Sequence, residues 1–264
     1  MKVTLITGAS SGIGEAFARR LAEEKHNLVL VARSEKKLHE LCDELMLQHG
    51  ITAHYVAIDL IDFEADQRLF EETEKHGMEV EWLINNAGFG SLGDFAELDL
   101  ERELEMLNLN ISALVALTHR YLQKMRMRKS GVIINVASTA SFQPIPFMAT
   151  YAASKAFVRS FSEAVAEENR PYGITISALC PGPTETNFFS ASRINAKVKG
   201  VMGQKGMQSS EEVVEEALTA VKKGKSQVVS GWKNFFLAGS VNLVPNFLIT
   251  RTIANVLRSK VNKK

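Results

Sequence analysis

The sequence predicts a doubly wound α/β fold, a parallel sheet of about seven strands with helices on both faces, in a single domain. Three observations carry this reading. Short β-branched or aliphatic runs alternate with longer helical patterns; those runs are apolar throughout rather than at every second position; and a glycine-rich turn joins the first strand to the first helix. A strand covered on both faces has no solvent side, so continuous apolar runs suit a sheet sandwiched between helical layers.

Residues 3–7 (VTLIT) form the first strand, and 12–25 form the first helix, with Phe17, Leu21 and Ala22 at helical spacing. Further strands are expected at 28–31, 53–58, 82–85, 132–136, 174–179 and 227–229, and helices at 35–49, 62–76, 101–128, 150–169 and 210–222. Residues 183–207 break the rhythm, mixing Thr, Asn, Gly and Lys with Phe188, Phe189, Met202 and Met207, and read as a lid or substrate loop. Residues 234–250 carry no charge, but Gly239, Ser240, Asn242, Pro245 and Asn246 interrupt them, and the stretch is short for a bilayer span. Beyond Pro245, the apolar side chains of Phe247, Leu248, Ile249, Ile253, Val256 and Leu257 fall near helical spacing. They predict a terminal helix packed on the body or on a partner subunit, with peripheral contact to a membrane surface as the alternative. The chain thus divides into a main domain over 1–232, containing the 183–207 loop, and a hydrophobic then basic C-terminal extension over 233–264.

At 264 residues, with 45% apolar and 23% charged side chains, the chain can bury a sizeable core. Its net charge of +1 supplies no broad basic field, so nucleic acid is not an expected partner. Cys42 and Cys180 lie far apart, and neither has a second cysteine or a histidine at metal-ligand spacing, so no metal site is expected and both read as reduced thiols. Because the first strand begins at residue 3, no room remains for a cleavable export signal, and the expected location is cytoplasmic.

The turn after the first strand reads Thr7-Gly8-Ala9-Ser10-Ser11-Gly12-Ile13-Gly14 and runs straight into a helix. Glycines allow a tight turn and close backbone approach, while free N–H groups and the dipole at the helix start favour a pyrophosphate. A carboxylate within that turn would oppose an anion, and none is present. Alone, a glycine cluster is equally a plain turn; its position between a strand and a helix decides for the phosphate cradle. Where an NAD enzyme places an acid at the end of the second strand, this chain has Ala32 and Arg33, a cation suited to a 2′-phosphate. The cofactor expected is therefore NADP(H) rather than NAD(H), although a solvated arginine would look the same. Asp59, followed by Leu60, lies just after the third strand, where its side chain can meet the adenine edge or simply cap a loop, and Asn85-Asn86-Ala87-Gly88 brings small residues to the end of the fourth.

Tyr151 and Lys155 stand four residues apart near the start of a helix, so both project from one face. A free phenol titrates near ~10, and a nearby ammonium lowers that value, making tyrosine a workable general acid or base. Ser138 closes the fifth strand at the sheet's carboxyl edge, where its hydroxyl can hold a carbonyl oxygen or merely cap a turn.

Taken together, the glycine turn Thr7 to Gly14, Asn85 to Gly88, Tyr151-x3-Lys155 and Pro181-Gly182 resemble, in order and spacing, the short-chain dehydrogenase/reductase family in its single-domain Rossmann-fold form. The resemblance runs from residue 3 to about 230 and implies a catalytic tetrad of Asn110, Ser138, Tyr151 and Lys155. Asn110 is preferred to Asn108 because it precedes the small and apolar Ser112, Ala113 and Leu114; otherwise it would read as a helix asparagine. The family likeness further implies that Lys155 bonds the nicotinamide ribose and Asn110 positions a water. It also implies a cofactor cradle of Gly8, Ser10, Ser11, Gly12, Ile13, Gly14, Asn86, Ala87, Gly88, Tyr151, Lys155, Pro181, Gly182, Thr184 and Thr186. Ser11 occupies a place where some NADP-using relatives carry a basic residue, which leaves the cofactor reading on Arg33. The helices at 101–128 and 150–169 resemble those that pair subunits, implying a homodimer at least.

The reaction implied is hydride transfer between nicotinamide and the carbonyl or alcohol of a small-molecule substrate. Phe142, Ile145, Phe147, Met148, Phe188 and Phe189 suggest a lipophilic ketone, a β-ketoacyl group or a steroid-like molecule. A non-catalytic dinucleotide sensor is the alternative, and it has no use for the tetrad. A nucleotide-sugar epimerase would need a longer substrate region than the roughly 80 residues after Gly182.

Overall fold

The computed structural model describes residues 1–186, 207–241 and 244–261. Strands β1 (Lys2–Thr7), β2 (Leu28–Ala32), β3 (Ala53–Ala57), β4 (Glu79–Asn85), β5 (Gly131–Val136), β6 (Ile174–Cys180) and β7 (Gln227–Val229) form one seven-stranded sheet in the order β3-β2-β1-β4-β5-β6-β7. Every pairing is parallel. The order reverses between β1 and β4, and at such a switch point the connections leave in opposite directions and open a crevice at the carboxyl ends of the strands.

Register and alternation build the two cores. Leu5, Val29, Leu83, Ile133 and Ile176 stand side by side across five strands and face one layer. That layer contains α3 (Ala65–Lys75), α5 (Leu114–Arg128) and α6 (Ala149–Asn169), with Leu69, Leu117, Tyr121 and Met125 packed inward. Their neighbours Ile6, Leu30, Ile84 and Ile134 face α1 (Gly12–Glu23), α2 (Glu35–His49) and α7 (Ser210–Lys222) through Phe17, Leu21, Leu38, Leu45, Val213 and Leu218. Both strand faces are buried, which is why the runs read as continuously apolar. Local chemistry sets the ends: Gly50 closes α2 in the left-handed conformation, and Ser209 with Glu212 forms a capping box on α7.

Three segments depart from the expectation. The single helix at 101–128 is instead α4 (Leu100–Leu107), a π-helical turn over Asn108–Ala113, and α5. No glycine or proline marks that widened turn; the tertiary contacts of Asn110, described below, accompany it. Strand β4 also starts earlier than expected, at Glu79, because β1 offers pairing partners from Lys2 onward. The segment from Trp232 onward contains a helix that periodicity did not reveal, α8 (Trp232–Val241), followed by the expected terminal helix, α9 (Asn246–Val261). Most of the 183–207 loop, including Phe188, Phe189 and Met202, lies outside the described residues.

Candidate active site

The glycine turn is tied to the Asn85–Gly88 segment across the switch point. Thr7 Oγ1 accepts the backbone N–H groups of Asn86 and Ala87, each at 3.0 Å, and donates to the Ile84 carbonyl at 3.3 Å. In return, Asn86 Nδ2 donates to the carbonyls of Thr7 and Gly8 at 3.0 and 3.2 Å. Gly8 and Gly12 adopt φ of 67° and 59°, where a side chain would strain the backbone. Gly14 is required for space, since a Cβ there would lie 2.3 Å from the Gly8 carbonyl oxygen. Ser11 precedes α1 without a side-chain cap on it, so the helix's leading amides are not taken by that hydroxyl. Glu15, the acid of this first turn, is held by Arg19 at 2.9 Å.

These residues open onto a cleft of about 440 Å³ whose walls include Ser10, Ile13, Ala32, Arg33, Leu60 and Ala87. A pyrophosphate fits the uncapped helix start and the side-chain-free turn, so the residues suit a dinucleotide. Asp59 does two jobs at the far end: its Oδ1 accepts the Ile61 N–H at 3.1 Å, and its Oδ2 lies 3.6 Å from Arg33 Nη1. Arg102, which no motif singled out, also reaches this cleft, with its guanidinium 3.7 Å from the centre of the Phe89 ring.

A second cavity, of about 250 Å³, meets the first at Ile13, Asn86, Gly88 and Thr186. Ser138, Tyr151 and Lys155 lie on its wall. Ser138 caps the short 3₁₀ turn Thr139–Phe142 by accepting the Ala140 N–H at 3.1 Å, and it faces the same cavity as Tyr151. Lys155 Nζ donates to the Val136 carbonyl at 2.8 Å and sits 6.0 Å from the centre of the Tyr151 ring. Asn110 is buried behind this wall, in the π-helical turn. Its Oδ1 accepts the Phe89 N–H at 3.2 Å, and its Nδ2 donates to the Phe89 carbonyl at 3.0 Å and to Ser154 Oγ at 3.1 Å. A Cβ on Gly88 would stand 2.8 Å from Asn110 Oδ1 and 3.4 Å from Lys155 Nζ, so that glycine admits both side chains. Pro181 and Gly182 border the same cavity, as does Thr184, whose hydroxyl donates to the Gly182 carbonyl at 2.9 Å.

Burial governs the electrostatics. Desolvation raises the Tyr151 phenol above its ordinary value, and the neighbouring Ser138 hydroxyl pulls it partly back. Desolvation lowers Lys155 to about 8, within reach of neutral pH. The expected influence of Lys155 on the phenol is thus set against burial, which favours the neutral form of each group.

The rest of this cavity is apolar, lined by Phe142, Ile145 and Met148 and, from α8, by Leu237, Ala238 and Val241. Gln143 and Asn234 add amides, and Asn234 packs so closely on Gly182 that a Cβ there would lie 2.3 Å from Asn234 Nδ2. Sequence reading missed Asn234 and the rest of α8 because residues remote from every motif reach the site only through the fold.

A crevice at the switch point of a doubly wound sheet, floored by a phosphate-sized glycine turn and opening onto a tyrosine–lysine pair, defines a dinucleotide-binding oxidoreductase. Comparison with known proteins gives the family. Residues 2–197 match the short chain dehydrogenase family model, and the chain belongs to that family. It is 28% identical over 264 residues to the very-long-chain 3-oxoacyl-CoA reductase of Rattus norvegicus, a match spanning 98% of this chain and 80% of that protein. It is 31% identical over 230 residues to the 7beta-hydroxysteroid dehydrogenase of Mediterraneibacter gnavus, spanning 87% and 86% respectively. A short-chain dehydrogenase from Sphingobium yanoikuyae, solved in complex with NADPH, superposes with a TM-score of 0.80 at 29% identity, covering 87% of each chain. The protein is accordingly an oxidoreductase that interconverts CH–OH and C=O groups with a nicotinamide cofactor.

Proposed function

We propose that the enzyme is an NADP(H)-dependent reductase of lipophilic ketones, of the β-ketoacyl or steroid-like class, with Asn110, Ser138, Tyr151 and Lys155 as its reacting centre. The observation that carries this is the placement of Ser138, Tyr151 and Lys155 together on the wall of a largely apolar cavity that meets the dinucleotide cleft. When bound, the reduced nicotinamide supplies a hydride to the carbonyl carbon. Ser138 holds the carbonyl oxygen and Tyr151 delivers the proton, which together with the hydride completes the alcohol. Lys155 supplies positive charge beside the phenol and a donor for the nicotinamide ribose. Asn110 is a positioning residue: its amide fixes the chain at Phe89, and its remaining acceptor capacity suits a water in the proton path.

Arg33 supports NADP(H), as a cation at the end of β2 with no acid beside it in sequence, and the NADPH complex of the Sphingobium relative agrees. Two relatives named for acyl-CoA and steroid substrates, together with the apolar wall of Phe142, Ile145 and Met148, support the substrate class. We further infer a homodimer through α5 and α6, whose outer surface carries a groove of about 330 Å³ lined by Val115, Leu122, Phe161 and Val165. Among the described residues, no helix is long and apolar enough to cross a membrane. A cytoplasmic site of action and a catalytic unit over 1–232, with α8 adding a wall from the extension, complete the proposal. The test is oxidation of NADPH and of NADH against ketones, aldehydes and β-ketoacyl thioesters. Turnover that follows NADPH and survives only with Tyr151 intact supports the reading, whereas preference for small polar carbonyls overturns the substrate class.

A further inference from the structure

Helix α8 has two apolar faces and only one is used. Leu237, Ala238 and Val241 line the site cavity, while Trp232, Phe235 and Phe236, at helical spacings of three and four, point outward and are 71%, 60% and 68% exposed. Their rings lie against one another, with centroids 6.4 Å apart for Trp232 and Phe236 and 5.9 Å for Phe235 and Phe236. On α9, Phe247 is 68% exposed. From Trp232 onward the sequence contains six Lys or Arg residues and no Asp or Glu, and Lys233 Nζ stands 5.5 Å from the Trp232 ring centre. Exposed aromatic rings mixed with cations, with no acid among them, match the chemistry of an anionic bilayer surface.

We propose that α8 and α9 form a docking face for an anionic lipid surface, which seats the enzyme without spanning the bilayer and brings the mouth of its apolar cavity against the acyl layer. Charge complementarity favours lipid over a second copy of this chain. A two-fold contact through this face would oppose two surfaces that both carry only positive side chains, whereas phosphate headgroups would neutralise them. The docking does not rest on the substrate proposed above, since binding is read without turnover.

The experiment is co-sedimentation of the full chain with vesicles of phosphatidylcholine alone and of phosphatidylcholine mixed with phosphatidylglycerol. Phe235→Ser/Phe236→Ser and Arg251→Glu/Arg258→Glu serve as two independent variants. The expected result is binding to the anionic vesicles that weakens with added salt and falls by more than about tenfold in the first variant. The charge variant, which keeps every ring, should lose the preference for anionic over neutral vesicles. Failure to sediment with anionic vesicles overturns the proposal, and so does unchanged binding in the aromatic variant. It is equally overturned if the chain ignores lipid and sediments alone as a dimer that Phe235→Ser/Phe236→Ser converts to monomer, which would make the face a contact between copies. Loss of ketone turnover on every substrate would defeat the proposed function while leaving the vesicle result standing.

Discussion

The Arg33 guanidinium faces the Asp59 carboxylate at 3.6 Å across the far end of the dinucleotide cleft, so the proposed 2′-phosphate ligand already has an acidic neighbour. The pair is open to solvent, with Arg33 64% exposed, and a solvated pair of this kind holds its partners weakly. A dianionic phosphate would therefore compete well for the guanidinium. Replacing Arg33 with Ala should lower kcat/KM for NADPH by about ten- to a hundredfold and leave NADH nearly unchanged. Steady-state kinetics with both cofactors check this, and an equal loss for the two would remove Arg33 from phosphate recognition.

Tyr151→Phe removes the phenol hydroxyl from the cavity wall but keeps the ring that packs with Phe89 and Met148. Reduction should fall by about 10²–10⁴-fold while the enzyme still binds NADPH, as measured by quenching or calorimetry. Retained turnover would assign the proton to another group.

Lys155 is lowered to about 8 by burial, and the sign of its effect follows. A cation whose folded pKa is depressed is protonated below that value, so the charge beside Tyr151 is present under pH 8 and lost above it. The reductase rate should be level below that point and decline as pH rises through it. The same depression means that folding opposes the charge. Between the folded value and the ordinary 10.5 the unfolded chain holds more protons, so the cost of burying the ammonium is relieved as pH rises. Lys155→Met should thus inactivate the enzyme while raising stability at pH 7, by at most about 3 kcal/mol. A lower melting temperature for that variant would show that its hydrogen bond to Val136 outweighs the desolvation.

Gly14→Ala places a methyl 2.3 Å from a backbone oxygen of the turn, which cannot swing aside as a side-chain end would. Cofactor affinity should fall at least about tenfold, with a loss of stability of about 1–3 kcal/mol. Gly50→Ala, at an open left-handed helix end, serves as the control: it should cost a little stability and leave cofactor binding alone.

Ala238 faces the site cavity from α8. Ala238→Phe should fill part of the 250 Å³ and discriminate by size, reducing kcat/KM for bulky ketones at least about tenfold while sparing small ones. Equal effects on large and small substrates would mean that α8 does not bound the substrate.

The strands, the helices packed on them and the glycine turn were legible because each is dictated locally. A strand buried on both sides must be apolar throughout, and the glycines of the turn answer to local needs, positive φ at Gly8 and Gly12 and a Gly14 Cβ that would meet the Gly8 carbonyl. Tyr151 and Lys155 were legible for a similar reason, since helix geometry alone puts residues four apart on one face. What only the tertiary structure decided depends on partners distant in sequence. Asn110 was preferred to Asn108 only through the family's pattern of following residues; the fold places its amide on Phe89 and Ser154 in a π-helical turn. Asp59 became both a loop cap and the partner of Arg33 once β2 and β3 were side by side. Between Lys233 and Pro245 the sequence showed only an uncharged stretch, whereas the contacts of α8 with β7 and with the 3₁₀ turn after Ser138 accompany its seating, with Ala238 on the cavity and Phe236 in solvent. Periodicity records which residues are apolar, whereas the packing of distant elements determines what each apolar face touches.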